Sequence, residues 1–116
     1  MTMAGLEIEE TARDGVRILT IGGELDLATA PDLCTCLKAH RRERFVVDIS
    51  RLAFCDSSGL RALLGEAHEC RVAGGRSFVV IAAEGQVRQL FDMTGLSSLT
   101  NVTDDLSAAV ERLQRR

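Results

Sequence analysis

The chain has 116 residues, 46% of them hydrophobic and 27% charged, which is enough to bury one core and too short for a second. Its formal net charge is -3, with no Trp, no Tyr and four Phe, so it offers neither a general attraction for a phosphate backbone nor a platform for stacking bases. No nucleic-acid partner is expected.

Met1 to Glu10 has no apolar stretch of the kind a secretory signal needs, and the longest apolar run, Phe78 to Ala83, is far too short to span a bilayer. A cytoplasmic chain with no direct membrane insertion is expected. In that reducing compartment Cys34, Cys36, Cys55 and Cys70 stay unpaired. A lone C-x-C with two distant histidines is a poor zinc signature, so no metal is expected and the cysteines read as small buried hydrophobes.

Leu6 and Ile8 alternate with Glu7 and Glu9, the period of a half-buried strand. Asp14-Gly15 is a dipeptide suited to a tight hairpin, and Val16 to Ile21 reads as the returning strand. Gly22, Gly23, Glu24, Leu25 and Asp26 then read as the loop that ends it. Thr29-Ala30-Pro31-Asp32 opens a helix with a capping hydroxyl, a proline in the first turn and an early acid. Leu33, Cys36, Leu37 and His40 share one face of it. Arg41, Arg42 and Arg44 fall at or beyond its end, where cations suit the dipole, either as a solvated cluster or as a contact for an acidic partner.

Phe45 to Ile49 is a near-continuous apolar run, the pattern of a central strand. Ser50 to Phe54 leads to Cys55-Asp56-Ser57-Ser58-Gly59 and then to a long helix, where Leu60, Leu63, Leu64, Ala67 and Cys70 repeat at helical spacing up to Gly74-Gly75. Ser77 to Ala83 is another buried strand. Val87, Leu90 and Phe91 mark a short helix that Gly95 ends, with Leu96 as the apolar contact after the cap. Leu99 to Val102 suits a brief edge strand. Asp104 and Asp105 open a last helix striped by Leu106, Ala109, Val110 and Leu113. The order β-β-α-β-α-β-α-(β)-α defines an α/β fold in one domain, residues 1–116. It predicts a mixed four- to five-stranded β-sheet with about four α-helices on at least one face.

Asp56-Ser57-Ser58-Gly59 is the informative stretch, because Ser57 falls where the chain leaves a central strand and enters a helix. There Ser57 can cap the helix, and the same free amides and dipole form an anion site with donors in place for a phosphate. A phosphate would add roughly -1.5 to -2 charges beside Asp56. It would push that surface away from an acidic or tightly packed partner.

Cys55-Asp56-Ser57-Ser58-Gly59-Leu60 closely resembles the signature of STAS domains, specifically the bacterial anti-anti-sigma factors, also called anti-sigma factor antagonists. Gly23-Glu24-Leu25-Asp26 is similar to the G-E-L-D loop of that family, and Leu90-Phe91-Asp92-Met93-Thr94-Gly95-Leu96 to its L-F-D-M-[ST]-G-L segment. The resemblance runs from about Leu6 to Leu113. It implies that Ser57 is phosphorylated by an anti-sigma factor that is itself a serine kinase, with Ser58 the lesser acceptor. It further implies a docking surface made of Glu24, Asp26, Asp56, Ser57, Ser58 and Gly59, with Arg61 on the helix beyond. In the implied mechanism the unmodified protein binds the anti-sigma factor and releases a sigma factor. Phosphorylation breaks the complex and a serine phosphatase resets it. ATP and magnesium belong to the kinase, so no cofactor is expected here, and a monomer is the expected state. Leu27-Ala28 after Asp26 and the Pro31 helix start are not a fixed family pattern, which leaves the partner open.

An enzymatic reading finds little support. The frame around Ser57 replaces the first glycine of G-x-S-x-G with Cys55, and His68 lies roughly 16 Å along the helix from the serine. His40 and His68 read as exposed or packing residues, and no catalytic residue is expected. A Gly22-Gly23 phosphate cradle lacks the G-x-x-x-x-G-K-[ST] spacing. A redox input at Cys55 needs a lowered thiol pKa. The remaining alternative keeps the fold and makes the domain an adaptor of a membrane transporter or sensory complex.

Overall fold

The computed structural model describes residues 2–3, 5–96 and 100–115. A six-stranded mixed sheet is laid down in sequence order, β1 (Thr2–Met3), β2 (Leu6–Arg13), β3 (Val16–Leu25), β4 (Arg44–Cys55), β5 (Arg76–Val80) and β6 (Asn101–Thr103). The helices are α1 (Ala30–Lys38), α2 (Ser57–Val72), α3 (Gln86–Thr94) and α4 (Leu106–Gln114). The expected order is therefore present, preceded by the two-residue β1. Leu99, expected to begin the edge strand, lies outside the described residues.

β1, β2 and β3 pair antiparallel, and β3 to β6 pair parallel. Asp14 (φ 52°) and Gly15 (φ 81°) make the β2–β3 hairpin turn. From β3 onward each strand is added on the same side of the last. The crossovers bring α1, α2 and α3 into one core cluster on one face of the sheet. There Leu33, Leu37, Leu60, Leu63, Leu64, Val87 and Phe91 pack on Leu19, Ile21, Phe45, Val47, Ile49 and Val79. The last helix covers the other face, packing Ala109, Val110 and Leu113 on Val16, Ile18, Val46, Phe78 and Val80. Helices thus cover both faces.

Two strands run further than their hydrophobic pattern predicts. β3 does not end at Ile21 but continues through the two glycines to Leu25. Gly23 takes φ 86°, and a Cβ there would lie 2.4 Å from the Gly5 carbonyl oxygen. The Glu24 amide donates to that same oxygen at 2.8 Å. Glycine therefore lets the strand bulge and continue instead of stopping it. β4 likewise continues past Ile49 through Ser50–Phe54, pairing Arg51, Leu52, Phe54 and Cys55 with Gly22, Gly23, Glu24 and Leu25. These extensions bring the carboxyl ends of β3 and β4 side by side, with α1 and α2 starting just beyond.

Candidate functional site

Ser57 is the first residue of α2 and is exposed to solvent, as is Ser58. The helix cap, however, is not Ser57. Asp56, in extended backbone (φ −98°, ψ 171°), is the N-cap, and its Oδ1 accepts the Gly59 amide at 2.7 Å. The carboxylate one residue earlier reaches the third amide of the helix, while Ser57 already has helical backbone and points outward. The expected ready-made phosphate site changes with it, because the Gly59 donor is already taken by Asp56.

Gly59 is buried where α2 crosses the β3–α1 loop. A Cβ at this position would lie 2.6 Å from the Leu25 oxygen and 2.9 Å from the Asp26 nitrogen. The Asp56 amide donates to the Leu25 carbonyl at 3.1 Å. The glycine of D-S-S-G is thus the residue that lets the two loops touch.

Asp26 is half-buried and organises its own loop. Its Oδ1 accepts the Ala28 and Thr29 amides at 2.9 and 3.0 Å. Thr29, expected to cap α1, makes no side-chain cap bond. Its hydroxyl instead donates to the Glu24 carbonyl (2.9 Å) and accepts from the Asp26 amide (3.0 Å), locking the end of β3 to the start of α1. The Asp26 carboxylate has taken over the start of the helix as an Asx turn.

The structure therefore brings Asp26, Asp56, Ser57, Ser58 and Gly59 to one end of the sheet. Glu24 is exposed on the adjoining strand end, and Arg61 is exposed one turn along α2 from Ser57. Gln86, the first residue of α3, completes the support. Its Nε2 donates to the Cys55 carbonyl (2.6 Å) and its Oε1 accepts the Cys55 amide (3.1 Å), so one side chain imitates a neighbouring strand. No local signal marks Gln86 in the sequence, because its partner is 31 residues away.

Burial, followed by the charge of Asp56, pushes the Cys55 thiol up to about 12. Burial thus disfavours the thiolate at Cys55, the opposite of the lowered pKa that a redox input needs. Cys70 is also buried, whereas Cys34 and Cys36 are half-buried. His40 lies beyond α1, paired with Glu43 and, at 3.1 Å, with Glu10. His68 is exposed on α2. Among the described residues no group of three or more His, Cys, Asp or Glu is placed to hold a metal ion, and no helix is long and apolar enough to cross a membrane. Recesses of about 510, 470 and 400 Å³ open elsewhere on the described surface, the first of them over Glu7, Glu9, Thr20 and Arg51. Ser57 lines none of the three.

This constellation, an exposed serine starting a helix at the carboxyl end of a parallel strand pair, lies within the region of residues 7–109 that matches the STAS domain model. The chain belongs to the STAS domain family. Among its relatives is the anti-sigma-B factor antagonist of Staphylococcus aureus (strain NCTC 8325 / PS 47), 28% identical over 102 residues, covering 85% of this chain and 94% of the relative. An anti-sigma factor antagonist from Mycobacterium paratuberculosis has a crystal structure that superposes with a TM-score of 0.79 at 25% identity, covering 95% of both chains. The Bacillus anti-sigma factor antagonist SpoIIAA shares the fold in its unphosphorylated form (TM-score 0.67, 22% identity, 94% of this chain and 96% of that one). In its phosphorylated form the values are 0.60, 20%, 93% and 98%.

Proposed function

We propose that this protein is an anti-sigma factor antagonist switched by phosphorylation of Ser57. In its unmodified form it binds an anti-sigma factor that is also a serine kinase, and a sigma factor is released. The observation that carries this reading is the position of Ser57, exposed at the first residue of α2 and outside the cap that holds the helix. A kinase can reach that hydroxyl without undoing any bond the fold depends on. The names of the relatives supply the partner class, and SpoIIAA is a protein of this fold that exists in phosphorylated and unphosphorylated forms.

In the switching step Ser57 Oγ attacks the γ-phosphorus of ATP held by the kinase with its magnesium. An Oγ–P bond forms, the bond from the γ-phosphorus to the bridging oxygen breaks, ADP leaves, and the hydroxyl proton passes to a base of the kinase. The product carries roughly -1.5 to -2 added charges beside Asp56 and close to the Asp26 loop. One donor of the helix mouth, the Gly59 amide, is already held by Asp56 and is not free for that charge. In a docked, water-poor contact a dianion costs several factors of ten in affinity, each about 1.4 kcal/mol. A serine phosphatase then restores the hydroxyl.

The reading is tested by incubating the protein with anti-sigma kinases from the same genome, ATP and magnesium, and mapping the phosphate by mass spectrometry. One phosphate on Ser57 is expected, absent from Ser57→Ala and retained by Ser58→Ala. Phosphate on Ser58 instead, or on neither serine, would sink it.

A further inference from the structure

Leu27 is 73% and Phe54 43% accessible, two of the large apolar side chains that the described residues leave exposed, and both belong to the segments that meet at the start of α2. Leu27 lies in the β3–α1 loop, one residue past Asp26, whose nitrogen is 2.9 Å from where a Gly59 Cβ would be. Phe54 lies three residues before Ser57, in register with Glu24. Neither exposure contributes to folding, which would gain from burying both. The Leu27 loop is also tied on either side, by the Asp26 carboxylate on the Ala28 and Thr29 amides and by the Thr29 hydroxyl on Glu24. The leucine is therefore held out on a fixed loop, a pre-organised contact that costs little to immobilise on binding.

The charges around these side chains have one prevailing sign. Glu24 and Asp32 are exposed and Asp26 and Asp56 half-buried, against Arg51 on β4 and Arg61 on α2. An apolar centre inside a charged rim is the layout of a protein interface, and an acidic rim calls for a basic complement. The G-E-L-D motif ends at Asp26, so position 27 is free to carry the choice of partner.

We infer that Leu27 and Phe54 are the apolar anchors of the surface around Ser57, and that the anti-sigma factor receives them in an apolar hollow edged with Lys or Arg. This rests on the antagonist reading above and adds the residues that select the partner. Because the rim attracts a basic partner, phosphate at Ser57 acts by placing a dianion that is costly to bury in the docked surface, and not by repelling an acidic surface.

Calorimetric affinities for anti-sigma kinases from the same genome, measured without ATP, test it with wild type, Leu27→Ala, Leu27→Asp, Phe54→Ala and Val72→Ala. Each anchor-to-alanine change is expected to weaken binding about tenfold, and Leu27→Asp about a hundredfold. Val72, equally exposed at the far end of α2, should tolerate alanine without effect. Wild-type affinity should fall as salt rises. Leu27 is mostly in water, so its variants keep the wild-type melting temperature and decide the matter even if Phe54→Ala melts early. Tight wild-type binding that Leu27→Ala leaves unchanged overturns the anchors and spares the antagonist reading. Affinity that rises with salt overturns the basic hollow. A wild-type protein that binds none of the kinases overturns the antagonist reading, and the anchors with it.

Discussion

At Gly59 the absence of a side chain decides how close two loops can come. The Leu25 oxygen and Asp26 nitrogen lie within 2.9 Å of its missing Cβ, and backbone atoms cannot swing aside as a side chain can. Gly59→Ala should destabilise the protein by about 1–3 kcal/mol, read from denaturant unfolding. An unchanged midpoint would show that the β3–α1 loop does not press on α2. Cys55 makes the second case at this scale. Its thiol, at about 12 against an ordinary 9.0, binds its proton more tightly folded than unfolded. Stability from this group is therefore complete below about pH 9 and is lost as pH climbs toward 12. Thermal melts should fall across that window, and less steeply in Cys55→Ala. Equal slopes for the two proteins would contradict the assignment.

Among the elements, β4 and α3 hold the site in place. The Gln86 side chain bonds both backbone groups of Cys55, and Arg88 of the same helix donates to the Ala82 and Ile81 carbonyls at 2.9 and 3.1 Å. Gln86→Ala should cost about 1–2 kcal/mol for its two bonds and speed hydrogen exchange at the Cys55 amide, with distant β2 amides unaffected locally. Exchange at Cys55 no faster than wild type would mean that another group pairs with that strand end. Strand length is also where sequence reasoning fell short. The outer half of β4 carries neither an alternating nor a continuous apolar pattern, since Arg51, Ala53 and Phe54 are exposed, yet its backbone pairs with β3 to the end. Hydrophobic periodicity reports what a helix covers, and a strand can outrun its cover. Gly22-Gly23 misled for a related reason, because a glycine that ends one strand can equally bulge another.

For the whole molecule, the element order, both core stripes and the location of the serine could be read from the sequence. Apolar spacing is a direct record of burial, and D-S-S-G, G-E-L-D and L-F-D-M-T-G-L stand in the chain as motifs. Which residue caps α2 could not be read. Asp56 and Ser57 are both good caps, and only the backbone angles, set by the strand before them, separate the two. The contacts of Asp26, Gly59 and Gln86 likewise depend on which strand ends meet, a property of the assembled sheet. In the proposed switch, the exposed serine stands outside the Asp56 cap that holds α2, so its modification would leave that cap in place.

The most direct measurement follows a preformed complex of this protein and an anti-sigma kinase while ATP and magnesium are added, with wild type beside Ser57→Ala and Ser57→Asp. Wild type and alanine are expected to bind, aspartate to bind weakly, and ATP to release the wild type alone. A wild-type complex that survives ATP, or an alanine complex that ATP releases as readily, would contradict the switch and bring the transporter or sensory adaptor reading forward.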